Sequence, residues 1–133
     1  VSIRPEKGLT RYAREAGVTD SMVASAPAAA EVAASIEAFL GERAPLVLFQ
    51  SEELAFLPAA GIGCAGEGRT VYDVQSLTGK PDGKAPALAE ACRDLFSFTP
   101  ELGGTEQEAL ACGLVFCALC DRTLHLTKKS AAR

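Results

Sequence analysis

The chain has 133 residues, of which 48% are hydrophobic and 23% charged, and its net charge is -4. This composition is typical of a globular domain and argues against a disordered chain, which would lack the apolar residues that form a core. No apolar run reaches the roughly 18 residues that a membrane-spanning helix needs, and we expect no signal peptide. The acidic balance disfavours non-specific nucleic-acid binding through a basic face, although a divalent cation can supply positive charge at a phosphodiester. We expect a single domain over 1–133 and no membrane partner.

The chain contains five cysteines, an odd number that cannot pair completely within one molecule. A reduced, cytoplasmic protein is the simpler interpretation. Cys117 and Cys120 have the Cys-X-X-Cys spacing of zinc and redox sites, but no second ligand pair accompanies them. Because they lie near the end of an apolar helical segment, we expect both to behave as small core residues. The remaining cysteines are Cys64, Cys92 and Cys112.

Local signals place three elements in the first third of the chain. Residues 1–4 alternate and are followed by proline, which is consistent with a short strand at a sheet margin. Residues 10–16 suit a short helix, and Gly17 follows where a C-terminal glycine is expected. Apolar residues recur at helical spacing over 27–40, and Pro27 is suited to the first position of a helix.

Two short strands are predicted in the middle of the chain. Residues 46–49 form a continuous apolar run, typical of a strand covered on both faces. Gln50 and Ser51 can cap a short helix after this strand, with negative charge from the following glutamates at its N-terminal end. Residues 70–74 form the second strand, and loops are expected at 61–68 and 79–84.

The last third is predicted to be mainly helical. Pro86 opens a helix whose apolar face includes Leu88 and Cys92, and a loop covers 99–104. Thr105 and Glu108 have the spacing of a capping box, which starts an apolar helix that runs to Cys120. Residues 123–127 alternate in polarity, so this segment is a candidate strand.

The segment from Gly17 to Leu57 carries a family resemblance. Gly17-Val18-Thr19-Asp20 and the residues that follow to Pro27, together with the strand-to-helix segment 46–57, resemble two motifs of the DEDD-type 3′-5′ exonucleases, the family of the proofreading subunit of bacterial DNA polymerase III. The resemblance implies an α/β fold, a ribonuclease H-like mixed sheet flanked by helices. The first motif of the family has no counterpart here, so the N-terminal strands of that fold are absent or replaced.

The resemblance also implies a chemistry, which these residues match only in part. The family uses four carboxylates to hold two magnesium or manganese ions, with a histidine as general base. Glu53 and Glu108 match two of the carboxylates, while the histidine of the third motif corresponds to Gly103. From the residues alone, a charge at a helix N-terminus is the favoured explanation of Glu53, and the capping box is the favoured explanation of Glu108. His125, the sole histidine, lies outside the motifs and is expected to be an ordinary surface residue.

We therefore expect an exonuclease-like nucleic-acid-processing domain, inactive or impaired as this chain, whose partner would be a single-stranded 3′ end. The alternatives are a non-catalytic protein-interaction module and an active metal-dependent exonuclease completed by an N-terminal segment. The missing central strand would leave backbone groups unpaired. A larger parent chain, a strand from a second copy in a homo-oligomer, or residues 123–127 would fill the gap.

Overall fold

A computed structural model of the protein describes residues 3–63, 68–79, 83 and 85–131, with side chains as far as residue 125. The described chain forms two compact units, one comprising Val1–Ala44 and Leu54–Thr70 and the other Pro45–Glu53 and Val71–Arg133. The helices are α1 (Arg11–Glu15), α2 (Asp20–Ala24), α3 (Ala29–Leu40), α4 (Phe56–Ala59), α5 (Val74–Leu77), α6 (Leu88–Phe96) and α7 (Thr105–Ala131), with a 3₁₀ helix at Ser51–Ala55. The strands are β1 (Leu46–Leu48) and β2 (Val71–Asp73).

Helices α1 and α3 of the first unit confirm the two helices predicted there. The Thr10 hydroxyl accepts a hydrogen bond from the backbone N–H of Ala13 at 3.2 Å, which caps α1. At the start of α3, the backbone N–H of Ala28 donates to Glu31 at 2.6 Å. The N-cap of α3 is Ala28, so Pro27 precedes the cap and does not occupy the first helical position. The Glu31 carboxylate supplies the hydrogen-bond acceptor for the backbone N–H of that N-cap residue.

The predicted strand at 1–4 is reduced, in its described part, to a single parallel bridge between Arg4 and Ala28. The backbone N–H of Arg4 donates to the carbonyl of Pro27 at 2.8 Å. Val1 and Ser2 lie outside the described residues. In the described part, this segment is paired through that one bridge.

Polar contacts to the C-terminal end of α3 stabilise the first unit. The guanidinium of Arg69 donates to the carbonyls of Leu40, Gly41 and Ala44, which are left without helical partners where α3 ends. Apolar burial is small by comparison, since Ala26 and Ile62 are the buried hydrophobic residues among the described part of this unit. The hydrogen bonds of Arg69 therefore join its segment to the C-terminal end of α3.

The second unit contains the sheet and a continuous apolar core. β1 and β2 are parallel, with Leu46 opposite Val71 and Leu48 opposite Asp73. α7 packs against β1, α5 and α6, because its apolar face meets theirs. The buried core residues are Val74, Leu88, Ala91, Cys92, Ala111, Cys112 and Val115. The result is an α/β arrangement in which one long helix covers a small parallel sheet.

The predicted strand at 123–127 is wrong, because α7 continues through this segment to Ala131. The hydroxyl of Thr123 donates to the carbonyl of Leu119 at 3.0 Å, and His125 lies 3.4 Å from Asp121, both one helical turn apart. Alternating polarity specifies a strand only where a sheet edge is available to pair with it. Continuing the helix preserves the backbone hydrogen bonds without requiring such an edge.

The predicted capping box at the start of α7 is also wrong. The helix begins at Thr105 itself, so Gly104 precedes it, and the backbone N–H of Glu108 donates to the Gly104 carbonyl at 3.1 Å. Among the described residues, no hydrogen bond joins the side chains or backbones of Thr105 and Glu108 in the reciprocal pattern of a capping box. The Glu108 carboxylate is consequently not used for capping.

Two expectations remain, on the loops and on membrane-spanning helices. Cys64, Lys80 and Lys84 lie outside the described residues, as do parts of the loops expected at 61–68 and 79–84. None of the helices in the described ranges combines the length and apolar character needed to cross a bilayer.

Candidate functional site

The second unit contains a cavity of about 530 Å³ beside the carboxyl end of β1. Ligand sites in α/β proteins are found preferentially where parallel strands end. Most of the cavity wall is apolar, formed by side chains of the sheet, of α6 and of α7 with the loop before it, namely Val47, Leu48, Phe49, Leu88, Leu102 and Ala109. A volume of this size lies within the range that accommodates small ligands.

Both glutamates singled out from the sequence line this cavity. Glu53 lies in the 3₁₀ helix that follows β1, and Glu108 lies in the first turn of α7. They are brought together because α7 packs against β1, which places its first turn beside the segment that leaves the strand. Both side chains are exposed to solvent, so the two carboxylates lie at the open side of the cavity.

The environment of Glu53 disfavours its charged form. Partial burial of the carboxyl group raises its pKa above the ordinary value, and the negative charge of Glu108 raises it further. Asp73 and Glu52 add smaller contributions in the same direction. The charges around Glu53 are thus predominantly negative, and a cation placed at this point would relieve their repulsion.

Asp73 positions the segment that carries Glu53. One carboxylate oxygen, Oδ1, accepts from the backbone N–H of Ser76 at 2.8 Å and caps α5. The other, Oδ2, accepts from the backbone N–H of Ser51 at 3.0 Å, at the start of the 3₁₀ helix. The hydrogen bond from Ser76 is the main cause that lowers the pKa of Asp73, with those from Ser51 adding to it. One side chain therefore joins the ends of both strands.

The sequence predicts a strand that runs on through residue 74, whereas β2 ends at Asp73, which is also the N-cap of α5. The available signal was an aspartate three residues before Ser76 at the end of an apolar run, which is a helix N-cap pattern. The contact with Ser51 had no sequence signal, since it joins segments far apart in the chain.

Cys112 lies on the inner wall of the cavity and is buried. Burial raises the pKa of its thiol to about 11, and the negative charge of Glu53 contributes in the same direction. The thiol is therefore protonated at neutral pH and is a poor nucleophile. Its place in the apolar core agrees with a packing role.

The expectation that Cys117 and Cys120 are core residues is wrong, because both are exposed and do not belong to the core. They occupy the solvent-facing side of α7, whose inner face is already filled by Cys112 and Val115. The helical period places residues i+2 and i+5 from a buried position on the outer face. Cys117 lies two residues after the buried Val115, and Cys120 lies five residues after it.

Glu53 and Glu108 supply the cavity with carboxylate oxygens, and a magnesium ion commonly takes one or two carboxylates from a protein, with water completing the octahedron. They are not suited to a two-metal centre, because Glu53 and Glu108 are the carboxylates that line the cavity. The described part of the chain contains no group of three or more His, Cys, Asp or Glu side chains that could hold a metal ion. The nearby Asp73 already has both oxygens engaged with backbone N–H groups.

No histidine lies at this cavity. His125 is exposed on α7, where its Nε2 is 3.4 Å from Oδ2 of Asp121, and it does not line the pocket. Gly103, the position that corresponds to the family's histidine, supplies no side chain. A general base of the kind that the resemblance implies is therefore missing from the cavity.

Comparison with known protein families, with characterised proteins and with solved structures gives no match. The geometry of the cavity and the residues that line it are accordingly the basis for inferring a function.

Proposed function

We propose that this protein is an exonuclease-like nucleic-acid-processing domain with a ribonuclease H-like fold, inactive or impaired as this chain. The observation that supports the proposal is that Glu53 and Glu108, which lie far apart in sequence, line one cavity at the end of a parallel strand. These are the two residues that match carboxylates of the family. The alternative explanation of Glu108 as a capping residue no longer applies, because α7 begins at Thr105.

In this proposal the two carboxylates hold a single magnesium or manganese ion. The ion would act as a Lewis acid toward a phosphodiester oxygen. Glu53 and Glu108 would hold the ion, and its charge would offset the repulsion between them. The apolar wall formed by Phe49 and Leu102 excludes water from one side of the site.

The impairment follows from the same set of residues. A two-metal displacement needs more carboxylates than the pair at this cavity, and a proton acceptor within hydrogen-bond reach of the attacking water. Asp73 accepts from the backbone N–H groups of Ser51 and Ser76 and does not line the cavity, so it is not a third ligand there. Binding of a nucleic-acid 3′ end with little or no hydrolysis is the expected behaviour.

The sheet supports a second possibility, in which a larger parent chain or a second copy completes the site. Within the described residues the sheet consists of β1 and β2 alone. Parallel sheets are normally larger and covered on both faces, so a two-stranded parallel sheet is an unusual end state. A third strand added at either edge would pair the free backbone groups. An active exonuclease, or a protein-interaction module that recruits such a strand, would then be formed.

The proposal is tested by isothermal titration calorimetry with magnesium and manganese chloride. Glu53→Gln and Glu108→Gln remove one carboxylate each while keeping the side-chain volume. Glu52→Gln is the matched control, since it makes the same charge change next to Glu53 without lining the cavity. Metal binding that is lost in the first two variants and kept in the third is expected.

Fluorescence anisotropy of a single-stranded oligonucleotide labelled at its 5′ end, with magnesium and then with EDTA, tests the nucleic-acid partner. Metal-dependent binding that requires both Glu53 and Glu108 is the expected result. If the protein binds neither metal ion, or binds it equally well without these carboxylates, the exonuclease-like proposal is wrong. Measurement of the oligomeric state by sedimentation then separates a second copy from a larger parent chain as the missing partner of the sheet.

A further inference from the structure

The cavity has more apolar volume than a metal ion would use. Its volume is about 530 Å³, and its walls include Val47, Phe49, Leu88 and Leu102. A hydrated ion at the rim would leave the parts of these side chains that face the cavity uncovered. A ligand that fills the cavity therefore needs an apolar body in addition to whatever group meets the rim.

The charged groups at the cavity are of one sign. Among the described residues that line it there is no lysine, arginine or histidine, whereas Glu53 and Glu108 are both present. In the described part of the chain neither glutamate takes part in an ion pair. The rim therefore attracts a cation and repels an anion, while a neutral apolar ligand would leave the repulsion between the two carboxylates in place.

We propose that this cavity binds an aliphatic primary ammonium, with the hydrocarbon chain against the apolar wall and the ammonium group between Glu53 and Glu108. An ammonium carries three N–H donors and no acceptor, so it can donate to both carboxylates at once. The alkyl chain packs on Phe49 and Leu88, which lie deeper than the glutamates and are less exposed. This binding uses no metal ion and does not depend on the exonuclease-like function.

Two sources supply this chemistry, namely a free alkylamine and the lysine side chain of a polypeptide. Hexylammonium chloride represents the first, and N-acetyl-lysine N-methylamide represents the second, since it carries an ammonium on four methylenes with a peptide group at the other end. Tighter binding of the capped lysine identifies a polypeptide source, and tighter binding of hexylammonium identifies a free amine.

The test is calorimetric titration of the full chain with each compound in EDTA, near neutral pH. Excluding metal ions ensures that failure of metal binding does not affect the outcome. 1-Hexanol is the control ligand, because it has the same hydrocarbon chain without the charge. We expect hexylammonium to bind and hexanol to bind at least about threefold more weakly, the range of one exposed charge interaction.

Glu53→Gln and Glu108→Gln are each expected to weaken hexylammonium binding by about three- to tenfold, because each removes one of two charge-assisted contacts. Glu52→Gln and Glu106→Gln are the matched controls, since each lies within two residues of a cavity glutamate but lines no part of the cavity. Both controls should bind as the unmodified protein does. Circular dichroism spectra establish that all four variants are folded.

The proposal is overturned if hexylammonium and hexanol bind the unmodified protein equally, or if neither binds. It is also overturned if the control variants lose as much affinity as the cavity variants, because the effect would then come from net charge. The comparison of the two ligands needs no variant, so it decides the matter even if a substitution prevents folding.

Discussion

Replacing Asp73 with alanine should destabilise the second unit and disconnect the segment that carries Glu53. The Asp73 carboxylate accepts from the backbone N–H groups of Ser76 at 2.8 Å and Ser51 at 3.0 Å, and alanine supplies no acceptor for either. The two donors lie at the N-terminal ends of α5 and of the 3₁₀ helix, where no helical carbonyl can replace the lost oxygen.

The magnitude follows from the two contacts. Loss of an N-cap side chain costs about 1 kcal/mol. The hydrogen bond to Ser51 adds about 0.5 to 1 kcal/mol, less than is usual for a charged acceptor, because Ser51 is exposed and water can replace the carboxylate. The free energy of unfolding should therefore fall by about 1.5 to 2 kcal/mol, a large part of the stability of a small protein.

Urea denaturation followed by far-ultraviolet circular dichroism measures this change. Asp73→Asn keeps one acceptor oxygen for Ser76 but places an N–H₂ donor in front of Ser51, so it should lose about half as much stability. Glu15→Ala is the control. The Glu15 carboxylate is exposed, and its single contact with Arg11 at 2.7 Å lies in solvent, so its removal should have little effect.

The pH dependence supplies a second check. Hydrogen bonding lowers the pKa of Asp73 below its ordinary value of 3.8, so the folded state holds the charged form more strongly than the unfolded state does. Its contribution to stability is present above pH 3.8 and is lost as the pH falls through the folded-state pKa. The difference between the unmodified protein and Asp73→Ala should shrink only below that value. A variant as stable as the unmodified protein at neutral pH, or a difference that disappears well above pH 3.8, would refute the reasoning.

Three other outcomes are expected. Val115→Ala, which removes two methyl groups from a fully buried side chain, should lower the free energy of unfolding by about 2 kcal/mol, and the exposed Leu114→Ala by less than about 1 kcal/mol, in urea denaturation; equal losses would contradict the described core. Glu108→Gln should lower the pKa of Glu53 toward its ordinary value, because it removes a neighbouring negative charge; carbon-detected NMR titration of the carboxyl groups measures this, and an unchanged pKa would mean that the pair is not coupled. Cys112 should resist iodoacetamide in the folded protein and react in urea, as read by peptide mass spectrometry, since burial raises its pKa to about 11; rapid labelling without urea would show that the cavity wall opens.

Local sequence signals were sufficient for the positions of the main elements. α3 and α6 have apolar residues at helical spacing, and Gly41 follows the last turn of α3. β1 was predictable from a continuous apolar run. Each of these signals acts within a few residues, through side-chain periodicity or backbone conformational preference, and needs no knowledge of distant segments.

Glu53 and Glu108 were singled out from the sequence, but their residue types could not show whether they would meet. Glu53 had an adequate local explanation as a charge at a helix N-terminus, and Glu108 as part of a capping box. The packing of α7 on β1 brings them to the same cavity, and the start of α7 at Thr105 removes the capping explanation for Glu108. A carboxylate pair of this kind depends on the distance between two segments, which local propensity does not determine.

Tertiary structure alone decided three further points. Residues 123–127 continue α7 because no described strand pairs with them, although their alternation fits a strand. Cys117 and Cys120 are exposed because the inner face of the helix is filled by Cys112 and Val115. Asp73 joins two strand ends because the parallel register places it beside Ser51. The sequence by itself determined which short segments prefer to be helix or strand, whereas which face is buried and which side chains meet depended on contacts between residues far apart in the chain.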